Sequence, residues 1–160
     1  DGAGGVEVAG ESPPEDIELA AATYRGASGD WSMAGQRHLC KVVDCYDGDT
    51  VRVIMRIEGE LRQYKVRVLG YDSPEMKVSK TSPFRAAEKA AAIAARDYLR
   101  ALLARDNNMV FIEIAGFDVY GRQLATMRTR VGKIDVCQAM LAAGHGRPYD
   151  GKTKKPFKPP

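Results

Sequence analysis

Three carboxylates and two guanidiniums in this chain stand at turns or strand ends. They are Asp49 in Asp47-Gly48-Asp49-Thr50, Asp72 and Glu75 in Asp72-Ser73-Pro74-Glu75, Arg67 shortly before Asp72, and Arg122 directly after Tyr120-Gly121. Carboxylate oxygens suit a hard cation such as Ca2+, which takes oxygen ligands at about 2.3–2.6 Å. A cation so held can acidify a water and neutralise phosphate charge. Arg is the side chain suited to gripping phosphate, because its planar fork donates two parallel hydrogen bonds and stays charged. These are the parts needed to cut a phosphodiester. Each also has an ordinary use: Asp-Gly-Asp is common hairpin chemistry, Pro74 restricts a turn that Asp72 can cap, and a lone strand Arg is usually just solvated. The argument for chemistry rests on their combination.

The elements that must position these residues read clearly in places. Residues 38–46 form a first strand, and Asp47-Gly48-Asp49 is a hairpin signal. In 50–57, Val51, Val53, Met55 and Ile57 alternate with Arg52, Ile54 and Arg56. After the turn Glu58-Gly59-Glu60, Tyr64, Val66 and Val68 oppose Lys65, Arg67 and Leu69 in 61–69. Such two-residue periods predict a three-stranded meander. The period then lengthens. Residues 82–104 predict an Ala-rich helix with Ser82 as N-cap, Pro83 in the first turn, and Ala86, Ala90, Ile93, Ala94, Leu99, Leu102 and Leu103 on its buried face. Two more strands are expected at 109–115 and 121–129, with Gly121 as a turn or bulge residue aiming Arg122. A second helix at 133–143 turns Val136, Met140 and Leu141 inward and stops at Gly144. This order predicts an α+β fold, a five-stranded OB-fold β-barrel with two to three helices. A doubly wound α/β sheet does not fit, because strands and helices do not alternate.

Flanking segments differ in composition. Residues 1–36 are rich in Gly, Ala, Ser, Pro and acids and read as a flexible extension, with a short helix over Ile17–Tyr24 and Trp31 as an anchor to the body. The barrel is expected over 37–149. Residues 150–160 read as an extended, basic Lys/Pro-rich tail. Charge is divided the same way. Residues 1–30 carry seven acidic side chains and one basic, a net −6, whereas the remaining 130 carry 23 basic and 14 acidic, a net +9. A basic body suits a polyanionic partner, though a merely solvating surface has the same charge. The apolar fraction of 44% is ordinary for a globular chain, and no stretch reaches the ~20 apolar residues that span a bilayer. Cys40, Cys45 and Cys137 are odd in number, and the first two lie on opposite faces of an unbulged strand, so all three read as structural thiols. A chain beginning at Asp1 rather than Met is expected to be a processed form, which leaves its compartment open.

The segments VVDCYDGDTVRV, YKVRVLGYDSPE, FDVYGRQLA and LAAGHG, in that order between about His38 and Tyr149, resemble the staphylococcal nuclease-like (thermonuclease) family. The resemblance implies an OB-fold barrel with a Ca2+-dependent nuclease site at one end. Carried over by motif, Asp49 and Asp72 would be Ca2+ ligands, with the Thr50 carbonyl as a third. Glu75 would be the general base, Arg67 and Arg122 would hold the scissile phosphate, and the product would carry a 3′-phosphate. Two departures are Ser73, where many members have Thr, and Val119, where Lys is frequent. Tyr120 and Tyr149 are candidates to stack on a base or sugar, or are ordinary packed tyrosines. No base-reading element is evident, so the expected partner is single-stranded DNA or RNA held by its backbone, with no membrane role and a monomeric protein. The rival expectation is a non-catalytic OB-fold nucleic-acid-binding module.

Overall fold

The computed structural model describes residues 17–23 and 31–159. Most of the predicted N-terminal extension therefore lies outside the described residues. The chain divides into two compact units, 1–31 and 32–160. In the first, the described part is a five-residue helix, α1 (Ile17–Ala21), with no buried side chain. The Trp31 side chain is 73% exposed.

The second unit begins with three antiparallel strands, β1 (Arg37–Cys45), β2 (Thr50–Ile57) and β3 (Glu60–Val68). Val51, Val53 and Met55 of β2 and Val66 and Val68 of β3 are buried, as their alternation requires. Glu58 (φ 49°) and Gly59 (φ 82°) make the two-residue hairpin turn between them, which needs positive φ at both central positions. A two-residue strand, β4 (Tyr71–Asp72), and the helix α2 (Arg85–Ala104) follow, then β5 (Met109–Phe117), β6 (Gln123–Thr129), α3 (Val136–Ala142) and β7 (Arg147–Pro148).

The sheet closes in the order β1-β2-β3-β6-β5, with β5 pairing back to β1. All contacts are antiparallel except β3 with β6, where Val66, Arg67 and Val68 run parallel to Gln123, Leu124 and Ala125. Closure removes exposed sheet edges, so the OB-fold-like α+β architecture is the arrangement the alternating strands call for. The interior is filled by side chains such as Met55, Val66, Ile112, Ile114 and Met127, with Leu99 and Leu103 of α2 and Met140 of α3 in the same core.

Three expectations need correction. Ser82 does not cap α2. The helix starts at Arg85 after Phe84, and the Ser82 hydroxyl donates instead to Glu88 at 2.8 Å. The buried face of α2 is Ala92, Ala95, Leu99, Leu102 and Leu103, while Ala86, Ala90, Ile93 and Ala94 are exposed. Alanines all round the first half of the helix make its faces nearly equivalent in hydrophobicity, so only the leucines carry directional information. Cys40 and Cys45 are both buried, because a bulge between Val42 and Asp44 adds a residue and brings them to one face. Both remain free thiols. Arg147–Pro148 forms β7, whose pairs Tyr71↔Pro148 and Asp72↔Arg147 bring the C-terminal segment beside β4.

Candidate active site

One end of the barrel gathers the turn after β1, the end of β3, β4 and the loop before β6. Asp47 organises the first of these. Its Oδ1 accepts from the backbone N–H of Asp49 at 3.1 Å and of Thr50 at 2.9 Å, an Asx turn that reverses the chain. Gly48 permits close packing here. A Cβ at this position would lie 2.7 Å from Ser73 Oγ and 2.9 Å from Ala95 Cβ. Tyr71, fully buried, donates its hydroxyl to the Gly48 carbonyl at 2.6 Å and ties β4 to the turn.

Asp49 is thereby aimed across the barrel end. Its Oδ1 accepts from Thr50 Oγ1 at 3.0 Å and its Oδ2 from the Ser73 N–H at 3.0 Å. Arg67 pairs with Thr50 across β2 and β3. By alternation it faces away from the core, yet it is only 6% exposed. Its guanidinium donates to the carbonyls of Val68 (2.6 Å) and Tyr71 (2.8 Å), and Nη2 stands 3.4 Å from both Asp49 Oδ2 and Asp72 Oδ1. Burying an Arg this deeply is tolerable only because its donors meet two carbonyls and two carboxylates. The Tyr149 ring lies 5.6 Å from the guanidinium carbon, and the Tyr149 N–H donates to the Gly70 carbonyl at 3.1 Å. In this arrangement Tyr149 stacks on Arg67.

Arg122 reaches the same end from the other side. Asp118 accepts from the backbone N–H of Tyr120 and Arg122 at 2.9 and 3.0 Å, forming a turn completed by Gly121 at φ 77°. It also accepts from Arg122 Nε at 2.6 Å. Arg122 Nη1 then donates to Thr50 Oγ1 at 3.2 Å, and its guanidinium carbon lies 5.5 Å from the centre of the highly exposed Tyr120 ring. The predicted strand start at 121 is therefore a turn, and β6 begins at Gln123.

Glu75, with a 58% exposed side chain, meets Lys154 rather than an arginine. The Lys154 Nζ bonds Glu75 Oε1 and stands 3.4 Å from Asp72 Oδ1. All the candidate residues thus belong to one chain of contacts, Arg122–Thr50–Asp49–Arg67–Asp72–Lys154–Glu75, with a tyrosine over each guanidinium. A groove of about 760 Å³ opens there, lined among others by Thr50, Glu75, Tyr120, Arg122 and Lys154, with Arg52 and Lys65 extending it along the barrel.

Electrostatics follow from this crowding. Burial, then the charge of Asp49, pushes the Asp47 carboxyl up to about 7. Burial also raises Asp72, against the lowering effect of Lys154. Asp118 goes the other way: burial would raise it, but the donors from Arg122 and Tyr120 outweigh that and hold it below the usual range.

The donor set for a cation is all oxygen and anionic, which suits Ca2+. Two observations favour a fit at Asp49 and Asp72. Their carboxylates converge on one guanidinium, and the neighbouring Ser73 hydroxyl is a buried polar atom without a hydrogen-bond partner among the described residues. Among the described residues no group of three or more His, Cys, Asp or Glu gathers at metal-binding spacing, so water would complete the shell. The Thr50 carbonyl accepts from the N–H of Tyr46 at 3.0 Å and of Asp47 at 3.5 Å and so closes the turn, while the Thr50 hydroxyl links Asp49 to Arg122. Asp47, Asp118 and Lys154 went unassigned in the sequence reading. An Asx signal marks the two aspartates, whereas nothing local marks Lys154.

No protein-family model matches this chain, and a search of curated proteins finds no match. Among the described residues no helix is long and apolar enough to cross a membrane.

Proposed function

We propose that this site hydrolyses phosphodiester bonds in DNA or RNA, as a Ca2+-dependent nuclease of the staphylococcal nuclease-like type. One observation carries the reading: two guanidiniums and three carboxylates from four separate segments join in a single polar network at the mouth of a basic groove. A structural ion-pair network on a barrel surface has no need of a groove that ends on it.

Asp49 and Asp72 would hold the cation, which when bound supplies charge neutralisation and a more acidic water. Glu75, exposed at the groove, takes the proton from the attacking water, a contribution of about 10²–10⁴-fold for general base catalysis. Arg122, lining the groove and braced by Asp118, is the guanidinium that meets the phosphate. Arg67 is buried with its fork committed, so its share is to balance the two aspartates and to present its charge to the developing phosphorane. Tyr120 offers an exposed ring for an unstacked base, which favours single strands. The attack proceeds in line with the leaving oxygen, and by the family resemblance leaves a 3′-phosphate.

A cleavage assay on labelled single- and double-stranded DNA and on RNA, with Ca2+, with Mg2+ and with chelator, tests this. Ca2+-dependent cleavage is expected, reduced about 10²–10⁴-fold by Glu75→Gln with nucleic-acid binding nearly intact. Equal loss of binding and turnover would remove Glu75 as the base. Binding without cleavage under every condition would leave a barrel that holds nucleic acid and does not cut it.

A further inference from the structure

The C-terminal segment does not trail away from the barrel. It is secured on both sides of Lys154. Upstream, β7 pairs with β4, and the Tyr149 N–H bonds the Gly70 carbonyl. Downstream, the Arg147 guanidinium donates to the carbonyls of Lys155 at 3.0 Å and Pro156 at 2.8 Å. Held between these points, Lys154 reaches into the groove. Its ammonium touches Glu75 and stands 3.4 Å from Asp72, bridging the proposed base and a proposed cation ligand. Asp49, Arg67 and Asp72 themselves do not line the groove.

We propose that residues 150–158 form a self-inhibitory strap, in which Lys154 serves as a tethered counter-ion that Ca2+ and the substrate phosphate must displace. This rests on the nuclease reading above. The physical argument is charge. A lone carboxylate pair repels itself and attracts any cation, and a lysine on the same chain is present at a high effective concentration. It satisfies the carboxylates without being able to acidify a water. A flexible four-carbon stem and a strongly hydrated ammonium make Lys easy to expel compared with Arg. The side chain is 47% exposed, so its hold is screened and reversible.

Two measurements on the full chain test the strap. The first is Ca2+ binding by calorimetry in the absence of substrate. Lys154→Gln should bind Ca2+ about fivefold more tightly than the parent protein, since a competing charge is removed. Lys158→Gln, which removes the same charge from an exposed position on the same tail, should shift it less than about twofold. The second is trypsin cleavage after Lys154, which requires that side chain to leave the groove. Cleavage should be slow in the parent protein and accelerate at least about fivefold with Ca2+ or in Glu75→Gln.

Equal Ca2+ affinity in the parent and Lys154→Gln proteins, or cleavage that neither Ca2+ nor Glu75→Gln accelerates, overturns the strap and leaves the nuclease reading standing. Lower turnover in Lys154→Gln with unchanged Ca2+ affinity also overturns it, in favour of a direct contact between Lys154 and substrate. Ca2+ binding to neither protein overturns the metal site itself, and the strap with it.

Discussion

Asp47 and Arg67 show how much of the site is decided by single buried charges. The Asp47 carboxyl is 6% exposed and faces Asp49, and burial with that neighbour pushes it up to about 7, against an ordinary aspartate near ~3.9. The sign of the consequence is fixed. Between these two values the folded state binds more protons than the unfolded state, so stability falls as pH rises through the window from about 4 to about 7. Asp47→Asn keeps an oxygen to accept from Asp49 and Thr50 but removes the charge. In chelator, its midpoint of thermal unfolding should exceed that of the parent at pH 8, with the gap closing towards pH 4. A parent protein that stays the more stable at pH 8 would mean that the carboxylate has a partner stronger than burial. Arg67 makes the complementary case. Arg67→Lys keeps the charge and loses the fork, so at least one charged hydrogen bond to a buried group goes, about 1.5–3 kcal/mol by urea titration.

At the scale of elements, two glycines do different work at the two turns of the site. Gly48 has no room for a side chain, since a Cβ would meet Ser73 and Ala95 at under 3 Å. Gly48→Ala must push the turn after β1 away from α2 and β4, an overpacking cost of about 1–3 kcal/mol. It also moves Asp49, so cleavage should fall more than stability does. Gly121 has open space around it but sits at φ 77°. Gly121→Ala should therefore cost only the left-handed backbone strain, about 1–2 kcal/mol, and leave Asp49 undisturbed. Ca2+ affinity lowered equally in the two variants would contradict this division.

For the whole molecule, closure of the barrel is what isolates its thiols. Burial pushes Cys40 up to about 12 and Cys45 up to about 11, the latter against the opposing pull of Arg100. Only the thiolate is a good nucleophile. Iodoacetamide at pH 8 should leave both unmodified in the native protein and modify at most Cys137, which is half-buried on α3. In denaturant all three should react, and mass spectrometry reads the difference. Rapid native labelling of Cys40 would mean that the barrel opens locally between β1 and β5, and of Cys45 that β1 parts from β2.

Much of this protein could be read along the chain, because a strand's alternation and a turn's chemistry are local. Val51, Val53 and Met55 marked β2 by themselves, Asp47-Gly48-Asp49 marked the turn, and the five candidate side chains could be named before any of them was placed. Local pattern fails where the deciding contacts are distant. The bulge in β1 reversed the facing of Cys45 relative to Cys40, and the alanines of α2 left its buried face undetermined until Leu99 and Leu103 met the core. Burial of Arg67 came from β4, the turn after β1 and Tyr149 closing over an outward-facing position. The reach of Lys154 to Glu75 spans 79 residues of sequence. No periodicity or turn signal encodes such a pairing, since it exists only once β4 and β7 have come together and set the tail beside the groove.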